Sequence, residues 1–434
     1  MYCSRGMLSV CSRWCIQLDT QHDPLISQYR VCHLGDCGKS LANTLGRAGA
    51  EVALLSLFSA IDPNQYELSL YVMMAQGEMK DALPSYVHLK NPYFSTESVL
   101  TEEGRRDMMK TVLRKFIQNG KWFKKAAYML RVWKQMHKNG KIMPDKILWR
   151  VISDGSEQFD ETFDLAVAYL EGASTYYVAD HVKARQKAAF VHIDYESSGY
   201  TPLMDKDCYR HMDRIFMVSD EVKKHFIKYY PQYQNKVEVF HNMLDYKKIT
   251  SRAKEAGGFT DSYDGIRLLT VGRLAYQKAY DIAIDAMKII KDSGCKARWY
   301  VLGEGSEREM LEKKIAQFGL QKDFLLLGAV ENPYPYYVQT DIYVHATRFE
   351  GKSIAIQEAQ ILGCPVIASD CNGNREQIEN GIDGILCSLT PEAIADSIKE
   401  LIANPKKREK YAKRAQNRNT QNNDELDLLL KMTK

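Results

Sequence analysis

Two series of short apolar runs, each run followed by a helix-like stretch, occupy the chain from Gly49 onward. In the first series YELSLYVMM, DLAVAYL, AAFVHI, RIFMV and KVEVF read as strands, with helical stretches at 50–61 and 221–229 among them. In the second, IRLLTVG, ARWYVLG, DFLLLG, DIYVHA, CPVIAS and GILC alternate with helices in the same way. Between them, after HNMLD, lies a polar segment that ends in Gly257 and Gly258. Such alternation is the sequence form of a parallel sheet, because a parallel neighbour needs a long crossover and a helix supplies it. Two separated series therefore predict an α/β protein of two Rossmann-like domains with parallel sheets. The length of 434 residues fits two domains of roughly 200 residues each.

The boundaries follow from the same pattern. Residues 44–242 form the expected first domain, with a basic amphipathic insertion at about 100–155, and residues 243–405 the second. Residues 406–434 are a polar, charged tail in which LDLLL reads as a last short helix. Ser306 and Glu309, in SEREM, have capping-box spacing and predict a helix start after the LGEG turn. Segment 1–43 is atypical: RVCHLGDCGKSLANT should hold the first central strand but offers a broken apolar pattern, which suggests disorder or a shifted reading frame.

Composition excludes several classes. With 45% hydrophobic and 26% charged residues the chain is neither disordered nor fibrous. No run approaches the 18 or so apolar residues that span a bilayer, and MYCSRGMLSVCSRWC lacks a signal-peptide core, so the cytoplasm is the expected location. Cys208, Cys295, Cys364, Cys371 and Cys387 are scattered through α/β pattern and read as free thiols. Cys3, Cys11, Cys15, Cys32 and Cys37 crowd the N-terminus without a CxxC pair, so no metal site is expected there.

Chemistry concentrates at three places. LLTVGRLAYQKAY runs from an apolar strand through a glycine turn to Arg273 and Lys278 at the mouth of a helix. Two fixed cations beside a helix N-terminus make a diphosphate site, although alone they would also pass as solvated surface charges. About seventy residues on, Glu350 follows a strand and Glu358 lies on the next helix, so both can face one cleft. A carboxylate can accept two hydrogen bonds and suits vicinal sugar hydroxyls. His192 ends a strand in FVHIDYE and is a candidate for the same cleft, whereas His181, His211, His241 and Asn242 read as structural.

Taken in order, VGRL-x3-K, NPYPYY, EGK-x5-EA and GCPVIASD resemble family 4 glycosyltransferases of the GT-B fold, in particular bacterial members that build capsular and other surface polysaccharides. LGRAGAEVALL, DLAVAYLEGASTYYVA, FVHIDYE and MVSDEV extend the resemblance through the first domain, from about residue 44 to about 402. It implies two facing domains with an interdomain cleft. It also implies that Arg273 and Lys278 hold the donor diphosphate, that Glu358 binds its ribose, and that Glu350 and His192 face the donor sugar from opposite sides. The amides of Gly351, Lys352 and Ser353 would approach donor hydroxyls or phosphate, and the turn at Gly46 and Gly49 would face the cleft from the first domain. Two departures stand out: Ala279 follows the lysine where glycine is usual, and GKS replaces the commoner GFG after Glu350.

The implied reaction is retaining transfer of a hexose or N-acetylhexosamine from a nucleotide sugar, UDP-linked ahead of GDP-linked, to a saccharide acceptor that is expected to be lipid-linked. Arg273 and Lys278 can stabilise the leaving diphosphate as a metal does elsewhere, so no metal and no other cofactor is expected. Glu350 as a nucleophile of double displacement is the competing assignment. A catalytically inactive sugar- or partner-binding protein on the same scaffold is the alternative function, disfavoured because the full charged set is retained. No segment resembles the pyridoxal-phosphate lysine site of a phosphorylase.

One stretch lies outside this pattern. Residues 105–150 carry fourteen lysines and arginines against Asp107 and Asp145, a local balance of +12 in a chain whose net charge is +4. Trp122, Trp133 and Trp149, three of five tryptophans, fall within it. Leu113, Phe116 and Ile117, then Phe123, Ala126, Ala127 and Leu130, recur at helical spacing, which is the form of interfacial helices on an anionic membrane surface, here the inner face of the cell membrane. Packing of that stripe on the first domain is the plainer expectation, and nucleic-acid binding is not expected.

Overall fold

The computed structural model describes residues 16–17, 30–34, 45–46, 49–99, 101–120, 122–138, 144–193, 195, 200–418 and 424–433. Strands are β1 (Ile16–Gln17), β2 (Arg30–Leu34), β3 (Leu68–Leu70), β4 (Val87–Leu89), β5 (Thr162–Ala168), β6 (Lys183–Val191), β7 (Arg214–Met217) and β8 (Val237–Val239) in the first domain. The second domain holds β9 (Ile266–Val271), β10 (Ala297–Leu302), β11 (Phe324–Gly328), β12 (Ile342–His345), β13 (Val366–Ser369) and β14 (Gly384–Cys387). The first sheet has the order β1-β2-β5-β6-β7-β8, parallel except for β1, and β3 pairs with β4 beside it. The second has the order β11-β10-β9-β12-β13-β14, parallel throughout. This is the 3-2-1-4-5-6 arrangement whose ligand crevice opens where the strand order reverses, between β9 and β12.

Both sheets are buried on both faces, which is why their strands read as continuous apolar runs. Along β5, Leu165 and Val167 enter one core while Ala166 and Ala168 enter the other. In the second domain Trp299 and Val301 face one core, Tyr300 and Leu302 the other. Every strand expected from the sequence is present. The doubtful N-terminal segment also contributes: β2 pairs with β5 in parallel register, Val31 opposite Leu165 and Leu34 opposite Ala168. A backbone ladder supplies this pairing, so the broken apolar pattern of RVCHL did not forbid it. Cys3, Cys11, Cys15 and Cys37 lie outside the described residues, and the five later cysteines are free.

The capping box expected at Ser306 is not formed. The helix Arg308–Gln317 begins one residue later than that box requires, with Glu307 at its N-cap and no side-chain cap. Glu304 is instead tied to Arg308 through bonds of 2.8 and 2.6 Å. The last helix, Asp424–Leu430, returns to the first domain, where Leu429 and Met432 join the cluster of Leu45, Phe58 and Phe240.

The basic insertion folds as three helices after α1 (Gly49–Ala60): α2 (Glu102–Ile117), α3 (Trp122–Lys138) and α4 (Pro144–Asp154). Thr101 caps α2 by accepting from Gly104 N at 3.0 Å, and Asn119 and Gly120, at φ of 60° and 62°, turn the chain into α3. Glycine suits that left-handed position, and asparagine tolerates it better than most residues. The fourteen cations counted in this stretch do not all lie on its outer face. Lys115, Lys125, Lys146 and Arg150 are buried. Lys125 Nζ donates to the carbonyls of Lys115, Phe116 and Gln118 at 2.8–3.1 Å, neutralising the C-terminal end of α2. Lys115 Nζ donates to Tyr71 Oη and Ser156 Oγ, and burial brings its ammonium down to about 8. Arg150 pairs with Asp180 at 2.5 Å, and Trp149 is a core residue, so its grouping with Trp122 and Trp133 also fails. Phe116 is half-buried rather than part of an outer stripe.

Candidate active site

The two domains enclose a cavity of about 700 Å³. Gly46, Gly49, Glu171 and His192 line it from the first domain, Arg273, Lys278, Glu350, Lys352, Ser353 and Glu358 from the second. Nine of the ten site residues expected from the sequence thus meet in one place. The tenth, Gly351, is not part of the lining. It sits at the junction of the domains, where its carbonyl accepts from Ser219 Oγ at 3.4 Å and a Cβ on it would lie 2.2 Å from His192 O. Glycine is needed there for the close approach of two backbones.

Two loops after β9 and β12 position the cations and Glu350. Arg348 grips Asp281 at 2.6 and 3.0 Å and donates to Tyr276 O, while its backbone N–H donates to Gln277 O at 2.8 Å. Gln277 Nε2 returns a bond of 2.8 Å to Phe349 O. This lacing holds Lys278 Nζ 2.5 Å from Glu350 Oε2. Beneath the pair lies His345, fully buried, 3.4 Å from Lys278 Nζ and 3.5 Å from Glu350 Oε2, with Nδ1 3.2 Å from Tyr343 Oη. Ala279 adopts φ 49° and ψ 35°, the left-handed conformation that makes glycine usual here, and then the helix Tyr280–Asp292 begins.

Glu358 stands at the back of the cavity on the helix Ile354–Ile361, whose N-cap Ser353 accepts from Ile356 N. Tyr334 and Tyr337 donate to its two oxygens at 3.1 and 3.2 Å. Burial pushes the carboxyl up to about 7, and the two tyrosine hydroxyls oppose that rise. Across the cleft, the His192 backbone N–H donates to Glu171 Oε2 at 3.0 Å and its ring packs against Tyr169. The N-terminus of α1 abuts the second domain, where a Cβ on Gly49 would lie 3.4 Å from Ile354 Cδ1.

Sequence reasoning missed Tyr334, Tyr337, His345, Gln277 and the lining residue Asn242, which it had taken as structural. The signal for the tyrosines was present in NPYPYY, where an i, i+3 pair on a short helix shares one face. Chemically, the arrangement offers two cations for an anionic group, a buried carboxylate for hydroxyls and a histidine on the opposite wall.

Residues 260–418 match the family described as glycosyl transferases group 1. Over 185 residues the chain is 29% identical to an N-acetylgalactosaminyltransferase of Campylobacter jejuni acting on a diphospho-undecaprenol-linked saccharide, covering 42% of this chain and 49% of the relative. Over 152 residues it is 31% identical to the alpha-D-kanosaminyltransferase of Streptomyces kanamyceticus, covering 34% and 39%. The matches thus span less than half the length of these relatives. The Anabaena Alr3699/HepE structure, a complex with UDP and glucose, shares the fold at a TM-score of 0.61 and 16% identity, over 89% of this chain and 93% of that one. The fold is GT-B, and residues 260–418, most of the second domain, match the glycosyl transferases group 1 family.

Proposed function

We propose that this chain transfers a hexose or N-acetylhexosamine from a nucleotide sugar, with retention and without a metal, to a lipid-linked saccharide during surface polysaccharide synthesis. The observation that carries the reading is the convergence of Arg273, Lys278, Glu350 and Glu358 on one wall of a cavity whose other wall holds His192. Cleaving a glycosyl phosphate bond builds negative charge on the departing diphosphate. Preorganised cations at that point lower the barrier directly and can take the part of a divalent ion. Glu358 accepts from ribose hydroxyls, as its burial beside two tyrosines suits. Glu350, already paired with Lys278, serves as an anchor for the ammonium more readily than as a nucleophile.

The Campylobacter relative, named for a polyprenyl diphosphate acceptor, supports a lipid-linked acceptor and work at the inner face of the cell membrane. UDP-linked donors are put ahead of GDP-linked ones. A thermal-shift panel of UDP, GDP and their sugars tests the donor, because a ligand bound only to the native state raises its melting point. Product NMR then tests stereochemistry, with EDTA present throughout. An inverted product, or activity restored only by added metal, overturns the mechanism, and no shift with any nucleotide overturns the donor site.

A further inference from the structure

Helix α3 has two apolar faces, and the protein covers only one. Lys125, Tyr128, Val132 and Met136 recur at three and four residue spacing and are buried, with Ile147 and Met204 in the same cluster. At about 100° per residue, Phe123 and Leu130 fall on the far side of the helix. They are 70% and 53% exposed, and Trp122 and Trp133 beside them 50% and 42%. On α2, Met109, Leu113 and Ile117 repeat every four residues and are exposed to a similar extent. Large side chains left in water on two adjacent helices form a patch of the kind that marks an interaction surface.

Its flanks identify the partner. Once the buried Lys115, Lys125, Lys146 and Arg150 are set aside, the remaining described cations of α2 and α3 are outside. Arg106, Lys110 and Arg114 interleave with the apolar line of α2, while Lys124, Arg131 and Lys134 border that of α3. Apolar residues rimmed by cations, with two tryptophans among them, fit the boundary between anionic headgroups and acyl chains. No helix among the described residues is long and apolar enough to cross a membrane. The ridge also has a defined relation to the cleft. Ser98 and Val99 line the cavity, Thr101 caps α2, and α2 then runs 16 residues, or about 24 Å, away from that lip.

The geometry points to the outer face of α2 and α3 as the seat of the protein on an anionic lipid bilayer, with Phe123, Leu130, Trp122 and Trp133 entering the headgroup layer and the cations binding lipid phosphates. This deepens the reading of a lipid-linked acceptor, but binding is measured here without donor, acceptor or turnover. Failure to bind therefore removes this surface and leaves the glycosyl transfer to be judged by its own assay.

The experiment is flotation of the full chain with phosphatidylcholine vesicles, with and without phosphatidylglycerol. Two variants probe the two components: Arg114→Gln/Lys124→Gln/Arg131→Gln/Lys134→Gln, and Phe123→Ser/Leu130→Ser. All six positions are exposed, so both variants are expected to melt with the wild type, which circular dichroism checks. The expected result is flotation with the anionic vesicles only, release by salt, and partitioning weakened on the order of 10²-fold or more in the four-charge variant. Trp fluorescence should shift to the blue with anionic vesicles, and the shift should vanish in Trp122→Phe/Trp133→Phe. Equal binding to neutral vesicles, unchanged binding of the four-charge variant, or a wild-type dimer that Phe123→Ser/Leu130→Ser dissociates without any flotation would overturn the proposal.

Discussion

Lys278 Nζ lies 2.5 Å from Glu350 Oε2, with the two side chains only 15% and 12% exposed. His345 below them is held down at about 4 by burial and by the Lys278 charge, so it is neutral at neutral pH and adds no second cation. The ammonium therefore has an anionic partner of its own within the cleft. On the proposed reading, a donor diphosphate must share it or displace the carboxylate, and the strength of that competition sets how much of the Lys278 charge reaches the leaving group.

Arg273→Ala and Lys278→Ala should each lower transfer on the order of 10² to 10³-fold, the usual loss for one group stabilising transition-state charge. Glu350→Gln should act oppositely on binding: nucleotide diphosphate affinity rises while turnover falls. Calorimetry with the nucleotide, paired with initial rates, separates the two. Weaker nucleotide binding by Glu350→Gln would show that the carboxylate supports the diphosphate site and does not compete for it.

Glu358 predicts a pH dependence of both stability and binding. Burial raises its carboxyl from the ordinary 4.5 to about 7 in the fold, so between those values the folded state holds the extra proton. Stability must then fall as pH rises from about 4.5 to 7 and level off above, by about 3 kcal/mol from this group alone. Nucleotide affinity should run the other way, since only the carboxylate accepts two ribose hydroxyls. Denaturant melts and calorimetry from pH 5 to 8 check both trends, and Glu358→Gln should flatten each. A wild type and variant with parallel pH profiles would remove Glu358 from the account.

Most strands were legible because each is a short apolar run that is largely buried, and the cations and carboxylates because they sit at fixed distances from those runs. What escaped depended on distant partners. Lys115 and Lys125 look like their solvated neighbours, and only the fold reveals Tyr71 and the end of α2 as their partners. The capping box at Ser306 did not form, and its Glu309 pairs with Lys313 one turn further along the helix. Gly351 read as part of the same loop surface as Glu350, Lys352 and Ser353, which line the cavity, whereas the carbonyl of His192, more than 150 residues away in sequence, requires glycine there.

That junction is testable by Gly351→Ala. A methyl group would meet His192 O at 2.2 Å, so the two domains must part or the Glu350 loop must shift. Overpacking of this kind costs about 1–3 kcal/mol, and a displacement beside the cleft should reduce kcat/KM at least about 10-fold. Gly294→Ala is the control, because its φ of 75° brings local strain while nothing lies within 4 Å of the new atom. Steady-state kinetics and thermal melts of both variants decide the matter. Equal activity in the two would mean that the junction tolerates separation.

The return of the chain end to the first domain yields the last prediction. Leu429 and Met432 are buried with Leu45, Phe58 and Phe240, and Glu425 Oε1 lies 3.1 Å from His241 Nδ1 on the segment that leaves the first domain. Burying two such side chains contributes about 1.5–3 kcal/mol each, so removing residues 424–434 should cost the first domain about 3–6 kcal/mol, a large part of the stability of an ordinary domain. The second domain keeps its own core, and Arg273, Lys278 and Glu358 with it. Scanning calorimetry of the truncated chain should therefore show an early transition for the first domain and a later one, still raised by added nucleotide, for the second. A single transition at the wild-type temperature would mean that the tail is held by the first domain without stabilising it. Loss of the nucleotide-dependent transition would mean that the second domain relies on the first for its fold.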